Sequence, residues 1–326
     1  MKTLHPSWYH GHDEKPPFFE GWYYKLVDAT GEATLAVIPG IILNHDPAKA
    51  HAFVQVVDGT TGRATYHRYP QTLFWASRSA FDIRIGPNRF NHRFLELDLG
   101  NGQESIRGRV RFKDLTPWPV TLASPGAMGW YAWAPFMETY HGVLSLDHQL
   151  EGELDVGYDS PGFDGGRGYI EKDWGSAFPS AYIWMQSNHF ETAGTSLTAS
   201  IAHIPWLRGS FPGFTIGFLH QGRLHRFATY TGAETERLEV TPTHITWVVR
   251  DKYRRLRLEA TRAPGILIYG PEHDGTMVPH IEETLQATVT VYLQEWRNQE
   301  RLLFKGTGHH AGLEVHGDLE PLLRLA

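Results

Sequence analysis

The chain of 326 residues is too long for one ordinary domain and long enough for two, each with a core of its own. Its apolar fraction of 41% and charged fraction of 20% are those of a soluble globular protein, and a net charge of −6 gives no general electrostatic reason to bind nucleic acid or an anionic membrane. The sequence has no cysteine, which excludes disulfides, thiolate metal sites and a cysteine nucleophile, while aromatic residues at 13%, 11 of them Trp, point to pocket or inter-sheet packing.

Residues 1–17 form a polar arm rich in His and Pro, with no apolar run of the kind a secretory signal carries. No window approaches a membrane-spanning helix, and a cytoplasmic location is the default expectation. Beyond the arm, nearly every periodic segment alternates at two. Phe81, Ile83 and Ile85 alternate with Asp82 and Arg84; Leu95, Leu97 and Leu99 alternate with Glu96 and Asp98. Ile106, Gly108, Val110 and Phe112 alternate with Arg107, Arg109 and Arg111, a basic row read as a solvated face. Turn residues fall between these runs at Asp58-Gly59, Gly86-Pro87-Asn88 and Asn101-Gly102, the last a strong hairpin signal.

The second half repeats the style. Leu197, Ala199 and Ile201 share a face, as do Leu256, Leu258 and Ala260, and the run Leu285, Ala287, Val289, Val291, Leu293 is the cleanest. Many short strands with regular turns predict an all-β protein of two antiparallel barrels or sandwiches in tandem, with little helix. The turn cluster Tyr158-Asp159-Ser160-Pro161-Gly162 divides it into domains at residues 1–160 and 161–326. One segment breaks the pattern: Leu115–Tyr140 holds four prolines and three Trp without steady alternation. It reads either as a lid or portal over an apolar ligand or as a packed irregular segment sealing a barrel end.

The stretch Gly165–Phe190 sits near the middle of the chain and carries most of the candidate chemistry. Tyr182, Trp184, Gln186, Asn188 and Phe190 share one parity, with Ile183, Met185, Ser187 and His189 opposite. A wall of rings interrupted by two amides suits an apolar ligand with a few fixed polar points; it equally suits a buried strand whose amides bond its neighbours. Upstream, Tyr169, Glu171 and Asp173 share parity, with Lys172 pointing the other way as a structural anchor. Paired acids on one face can split into an ionised base and a protonated acid. Near the start, FFEGWYYK (Phe18–Lys25) sets Glu20 among five aromatic residues. Glu20 must pair with Lys25 or another cation, or stay protonated. A protonated carboxyl in an aromatic cavity is what protonating a carbon–carbon double bond requires, with ring faces to stabilise the cation.

The histidines number 19, but His10-Gly11-His12 and His309-His310 match no ligand spacing, so no metal is expected. No nucleophile elbow, Walker loop or dinucleotide fingerprint is present, which disfavours nucleophilic hydrolysis and nucleotide chemistry.

Three blocks together resemble the tocopherol cyclase family: Phe18–Lys25 with Ile38-Pro39-Gly40-Ile41; Pro125–Val143, PGAMGWYAWAPFMETYHGV; and Gly168–Phe190. The resemblance spans the chain from about Pro17 to the C-terminal strands and suits a short bacterial member. It implies tandem lipocalin-like β-barrels, an architecture shared with carotenoid hydratases, and acid catalysis without a cofactor. A prenylated hydroquinone would bind in an apolar cavity, an enzyme acid would protonate its double bond, and the phenol oxygen would close a chromanol ring. On residue chemistry the proton donor is Asp173 or Glu171, with Glu20 behind them. Tyr169, Gln186 and Asn188 would orient the phenol, and Trp22, Tyr23, Trp174, Tyr182 and Trp184 would line the cavity. Substrate uptake would involve a peripheral membrane contact, with no nucleic acid as partner. The competing reading is a lipocalin-like carrier or chaperone of an isoprenoid or other lipid. Catalysis needs a carboxyl facing the cavity, whereas carriage needs only the apolar lining.

Overall fold

The computed structural model describes residues 2–100, 105–135, 137–157, 159–206, 209–297 and 301–324. Within them the period-two runs form antiparallel sheets, and helix is confined to short 3₁₀ turns and the α-helix Glu320–Leu323. The hairpin expected at Asn101-Gly102 lies outside the described residues.

The chain forms two compact units, Met1–Phe178 with Leu267–His280, and Pro179–Ile266 with Ile281–Ala326. The first unit is built from β1 (Phe18–Val27), β2 (Thr34–Leu43), β3 (His51–Asp58), β4 (Arg63–Tyr69), β5 (Phe74–Ala76), β6 (Asp82–Ile85), β7 (Asn88–Asn91), β8 (Phe94–Leu99), β9 (Ile106–Lys113), β10 (Thr139–Asp155) and β11 (Arg167–Gly175). Its sheet runs β4, β3, β2, β1, β11, β10, β9, β8, β7, β6, β5. The late strand β11 is thus the seam between two meanders, bonded to β1 on one side and β10 on the other. Both halves of the sheet feed one core. Trp22, Tyr24, Val37 and Val54 pack there with Ile83, Phe90, Leu97, Val110 and Ile170. The arginines of β9 stay on the outer face, where Arg107 and Arg109 pair with Asp98 and Glu96 of β8 at 2.8 and 2.7 Å.

The units divide at Phe178/Pro179, further along the chain than the 160/161 boundary expected from turn residues. Those turn residues serve a hairpin instead. Glu153 bridges Gly162 and Val156 N–H donates to the Asp159 carbonyl, so the cluster only reverses the chain between β10 and β11. Tyr158 lies outside the described residues. The excursion Leu267–His280 completes the first unit: Asn44 donates to the carbonyls of Asp274 and Gly275, and Tyr269 stacks on Tyr66 at 4.3 Å.

The second unit comprises β12 (Ala181–Ser187), β13 (Ser196–Trp206), β14 (Gly209–His220), β15 (Arg223–Ala228), β16 (Glu234–Val240), β17 (His244–Arg250), β18 (Arg254–Thr261), β20 (Met277–Glu295) from Ile281 on and β21 (Arg301–Gly317), while β19 (Ile266–Pro271) from Leu267 on lies in the first unit. Its core takes Ile183, Met185, Leu197, Ile201, Phe218, Trp247, Leu258, Val291 and Leu313. Phe190 also belongs to this core, against the parity that grouped it with Tyr182 and Trp184. The alternation ends because β12 stops at Ser187, and His189 then only bridges His309.

Burial sets the expected cost of substitution. Trp247 is fully buried, so Trp247→Ala is expected to lose about 3–5 kcal/mol in urea denaturation. Leu122, 71% exposed, should shift by no more than about 0.5 kcal/mol on change to Ala.

Candidate active site

Strand β11 carries different chemistry on its two faces, and its register fixes what each residue meets. Glu20 pairs with Trp174 and Trp22 with Lys172 across β1; Val143 pairs with Glu171 and His141 with Asp173 across β10. Lys172 and Trp174 therefore share the core face with Glu20 and Trp22. Tyr169, Glu171 and Asp173 share the opposite face with Tyr23, Lys25 and His141.

On the core face, Glu20 and Lys172 are fully buried and joined at 2.7 Å. The partner is Lys172, not Lys25, because residues five apart on a strand point to opposite faces. Lys172 also donates to the Trp8 carbonyl and, at 2.8 Å, to His10 Nδ1, while the His10 backbone N–H donates to both Glu20 oxygens at 3.1 and 2.8 Å. The polar N-terminal arm is thereby clamped to the sheet. The ammonium lies 4.4 Å from the Trp174 ring centre and 5.2 Å from that of Trp22. Burial pulls the Lys172 ammonium down to about 8, against the pull of Glu20 in the other direction. The His10 ring stacks on Trp174 at 4.2 Å, and Tyr140 stacks at 5.5 Å.

These rings border a cavity of about 580 Å³ lined by the N-terminal arm, the irregular Pro125–His141 segment and the end of β11. Its walls include Phe18, Met128, Trp133, Tyr140, His10 and Trp174. Gly175 closes this end of the strand at φ 153°, where a Cβ would sit 2.0 Å from the Glu138 carbonyl oxygen. Only glycine permits so close an approach.

On the opposite face, His141 Nδ1 lies 2.9 Å from Asp173 Oδ1, and its Nε2 lies 3.7 Å from Glu171 Oε2. Tyr169 donates its hydroxyl to the same Glu171 oxygen. Burial opposes charge on His141, but the neighbouring carboxylates of Asp173 and Glu171 outweigh it and raise the imidazole to about 9. At neutral pH the imidazole is a cation between two acids. His141, unlike the two acids, also lines the cavity. The ligand atoms of His141, Glu171 and Asp173 lie within 4.8 Å of one another, close enough to hold a metal ion. Histidine spacing along the chain gives no hint of this set, because its members come from two strands.

The sequence-predicted residues thus fall into three sets. Glu20, Trp22 and Trp174 meet on the core face of the first unit, and Tyr23, Tyr169, Glu171 and Asp173 share its other face. Tyr182, Trp184, Gln186 and Asn188 belong to β12 and the residue after it in the second unit. There Tyr182 donates to Glu314 at 2.7 Å. His10 and His141 were missed by reading the sequence. His141 is placed by cross-strand register alone, and His10 sits in an arm that carries no periodicity.

The pH dependence of stability follows from His141. Its folded pKa lies above the ordinary 6.5, so its contribution is complete below about pH 6.5 and lost as pH rises through about 9. The stability gap between wild type and His141→Gln should therefore narrow, by on the order of 3 kcal/mol at most, between pH 6 and 9.5 in urea titrations. A gap that widens over this range would contradict the assignment.

Comparison with known proteins agrees with this architecture. A probable chloroplastic tocopherol cyclase of Oryza sativa subsp. japonica is 22% identical over 97% of this chain and 79% of its own length. The chloroplastic tocopherol cyclase of Zea mays is 22% identical over 97% of this chain and 78% of its own. Among solved structures, CghA superposes with a TM-score of 0.59 at 11% identity, covering 94% of this chain and 90% of that one. Kievitone hydratase from Nectria haematococca superposes at 0.51 and 13% identity, covering 97% and 95%. These likenesses establish the fold as all-β and lipocalin-like. The family described as tocopherol cyclase-like matches residues 100–317, more than half of the sequence, and the chain belongs to that family.

Proposed function

We propose that this protein closes a prenylated hydroquinone to a chromanol by acid catalysis. The observation that carries the reading is the meeting, at His141, of an aromatic-walled cavity with a hydrogen-bonded acid group. The proton donor is the His141 imidazolium, which lines the cavity, rather than Asp173 itself, whose carboxylate holds it at 2.9 Å. Glu171, fixed by Tyr169 and facing His141, holds the imidazole in place. The acid proton adds to the less substituted alkene carbon and leaves a tertiary cation. The faces of Trp174, Tyr140 and Trp133 shield that cation and stabilise it. The phenol oxygen then attacks, and its proton returns to the His141 imidazole. Substrate and product are isomers, and the enzyme ends unchanged.

Glu20 plays a different part. Its contacts with Lys172 and His10 use it as an acceptor, so it holds the arm that walls the cavity. Trp130 and Leu122 of the irregular segment are exposed apolar side chains, which supports uptake of a lipophilic substrate from a membrane surface.

Anaerobic incubation with a short-chain prenyl hydroquinone, followed by chromatography and mass analysis, tests the proposal. Wild type should form an isobaric product of shifted retention. His141→Gln should lose at least about 100-fold in rate while still binding, and Asp173→Asn and Glu171→Gln should each lose less. Glu20→Gln should lower stability by about 3–5 kcal/mol, since it strands the Lys172 charge. Tight binding by wild type without any isomer would favour the carrier reading. Absence of binding would overturn the substrate class.

A further inference from the structure

A sulfur atom joins the irregular segment to the strand that carries His141. Strand β9 pairs with β10 over Gln149–Asp155, so at His141 the edge of β10 away from β11 needs another partner. Met128 supplies it: the backbone N–H of His141 donates to the Met128 thioether at 3.1 Å. Met128 sits in a turn between Gly126 and Gly129, whose φ values of 79° and 58° lie in the left-handed region. The residue is half-buried and lines the cavity together with His141.

A thioether is a weak acceptor and is readily oxidised to a sulfoxide, a polar group with an oxygen on the sulfur. A contact of 3.1 Å between nitrogen and sulfur leaves no room for that oxygen between them. Either the segment shifts along β10 to admit it, or the oxygen turns into the ring-lined cavity. Both disturb the place where His141 meets a ligand. The other methionines make the contrast. Met185 is fully buried in the second unit and Met137 is 9% exposed, whereas Met277 is half-buried and does not line the cavity.

We propose that Met128 is a reversible oxidation site: a hydroperoxide converts its thioether to the sulfoxide, which displaces His141 and lowers its activity as proton donor. In the step the peroxide O–O bond breaks and one oxygen forms the S–O bond. The other leaves as water or, from an organic hydroperoxide, as an alcohol. The sulfur loses two electrons and the peroxide gains them. Met128 is a positioning residue, acting through the backbone of His141. The effect on turnover rests on the proposed function, which also gives the oxidant a source. Dioxygen takes two electrons and two protons from a hydroquinone, leaving a quinone with no phenol to close and releasing hydrogen peroxide. Peroxide at this site therefore reports that the substrate pool is being oxidised.

Graded hydrogen peroxide followed by peptide mass mapping should find sulfoxide at Met128 before Met137 and Met185. In nitrogen-15 NMR the His141 backbone N–H resonance should shift as that sulfoxide forms. Isomerisation of a short-chain prenyl hydroquinone should fall on the order of 100-fold, the scale of a misplacement of about 1 Å. Methionine sulfoxide reductase should restore both resonance and rate. Met128→Leu keeps the apolar bulk without an oxidisable sulfur, so peroxide should move neither its His141 resonance nor its rate from the values of the untreated variant. Oxidation of Met277 with Met128 left intact would overturn the proposal, as would a Met128 sulfoxide that leaves the wild-type His141 resonance in place. A reversible shift of that resonance in a protein that forms no isomer would sink the catalytic reading and leave the oxidation site and its coupling to His141 standing. Isomerisation undiminished by full conversion of Met128 would do the reverse.

Discussion

The buried ion pair between Glu20 and Lys172 is the constraint on which the rest of the first unit depends. Two charges taken wholly out of water are tolerated only when each finds several partners. Here they recruit the Trp8 carbonyl, the His10 backbone and the His10 ring. The polar arm, which sets Tyr9 in the core of the unit, is thereby also clamped to the sheet. Without it the cavity would lose the wall that Lys2, Pro6 and His10 supply. The contacts that satisfy the ammonium also orient the His10 imidazole.

Strand β11 makes this economy possible. Bonded to β1 on one side and β10 on the other, it sits where both of its faces can be used. Alternation at two then separates incompatible chemistries by the thickness of one backbone. Lys172 and Trp174 serve clamp and cavity; Tyr169, Glu171 and Asp173 serve the acid group. The close approach at Gly175 lets β10 follow the strand to its end and brings His141 to the acids. This strand end sets a hydrogen-bonded acid group beside a cavity walled in part by Trp133, Tyr140 and Trp174.

Much of the fold was legible because a half-buried strand prints its burial in its spelling. The runs Ile83–Ile85, Leu95–Leu99 and Val289–Leu293 all bury the residues expected from alternation. The parity argument also separated Lys172 from Glu171 and Asp173. What alternation cannot carry is register between distant strands, so neither the Glu20–Lys172 pair nor the His141–Asp173 contact could be read. Turn residues were ambiguous for a related reason. Asp159 to Gly162 spell a reversal, and only pairing shows that the reversal joins β10 to β11 inside one unit. His10 was invisible because its importance comes from a buried charge 162 positions away in the chain.

The most direct test of the central claim is turnover in heavy water. If the enzyme protonates the prenyl double bond, each product molecule must acquire one deuterium on carbon, at the position that was the less substituted alkene carbon, and resist washing out in ordinary water. The account predicts that single, non-exchangeable label. A cyclised product with no carbon-bound deuterium would mean that the ring closes without proton transfer to the alkene, and would contradict it.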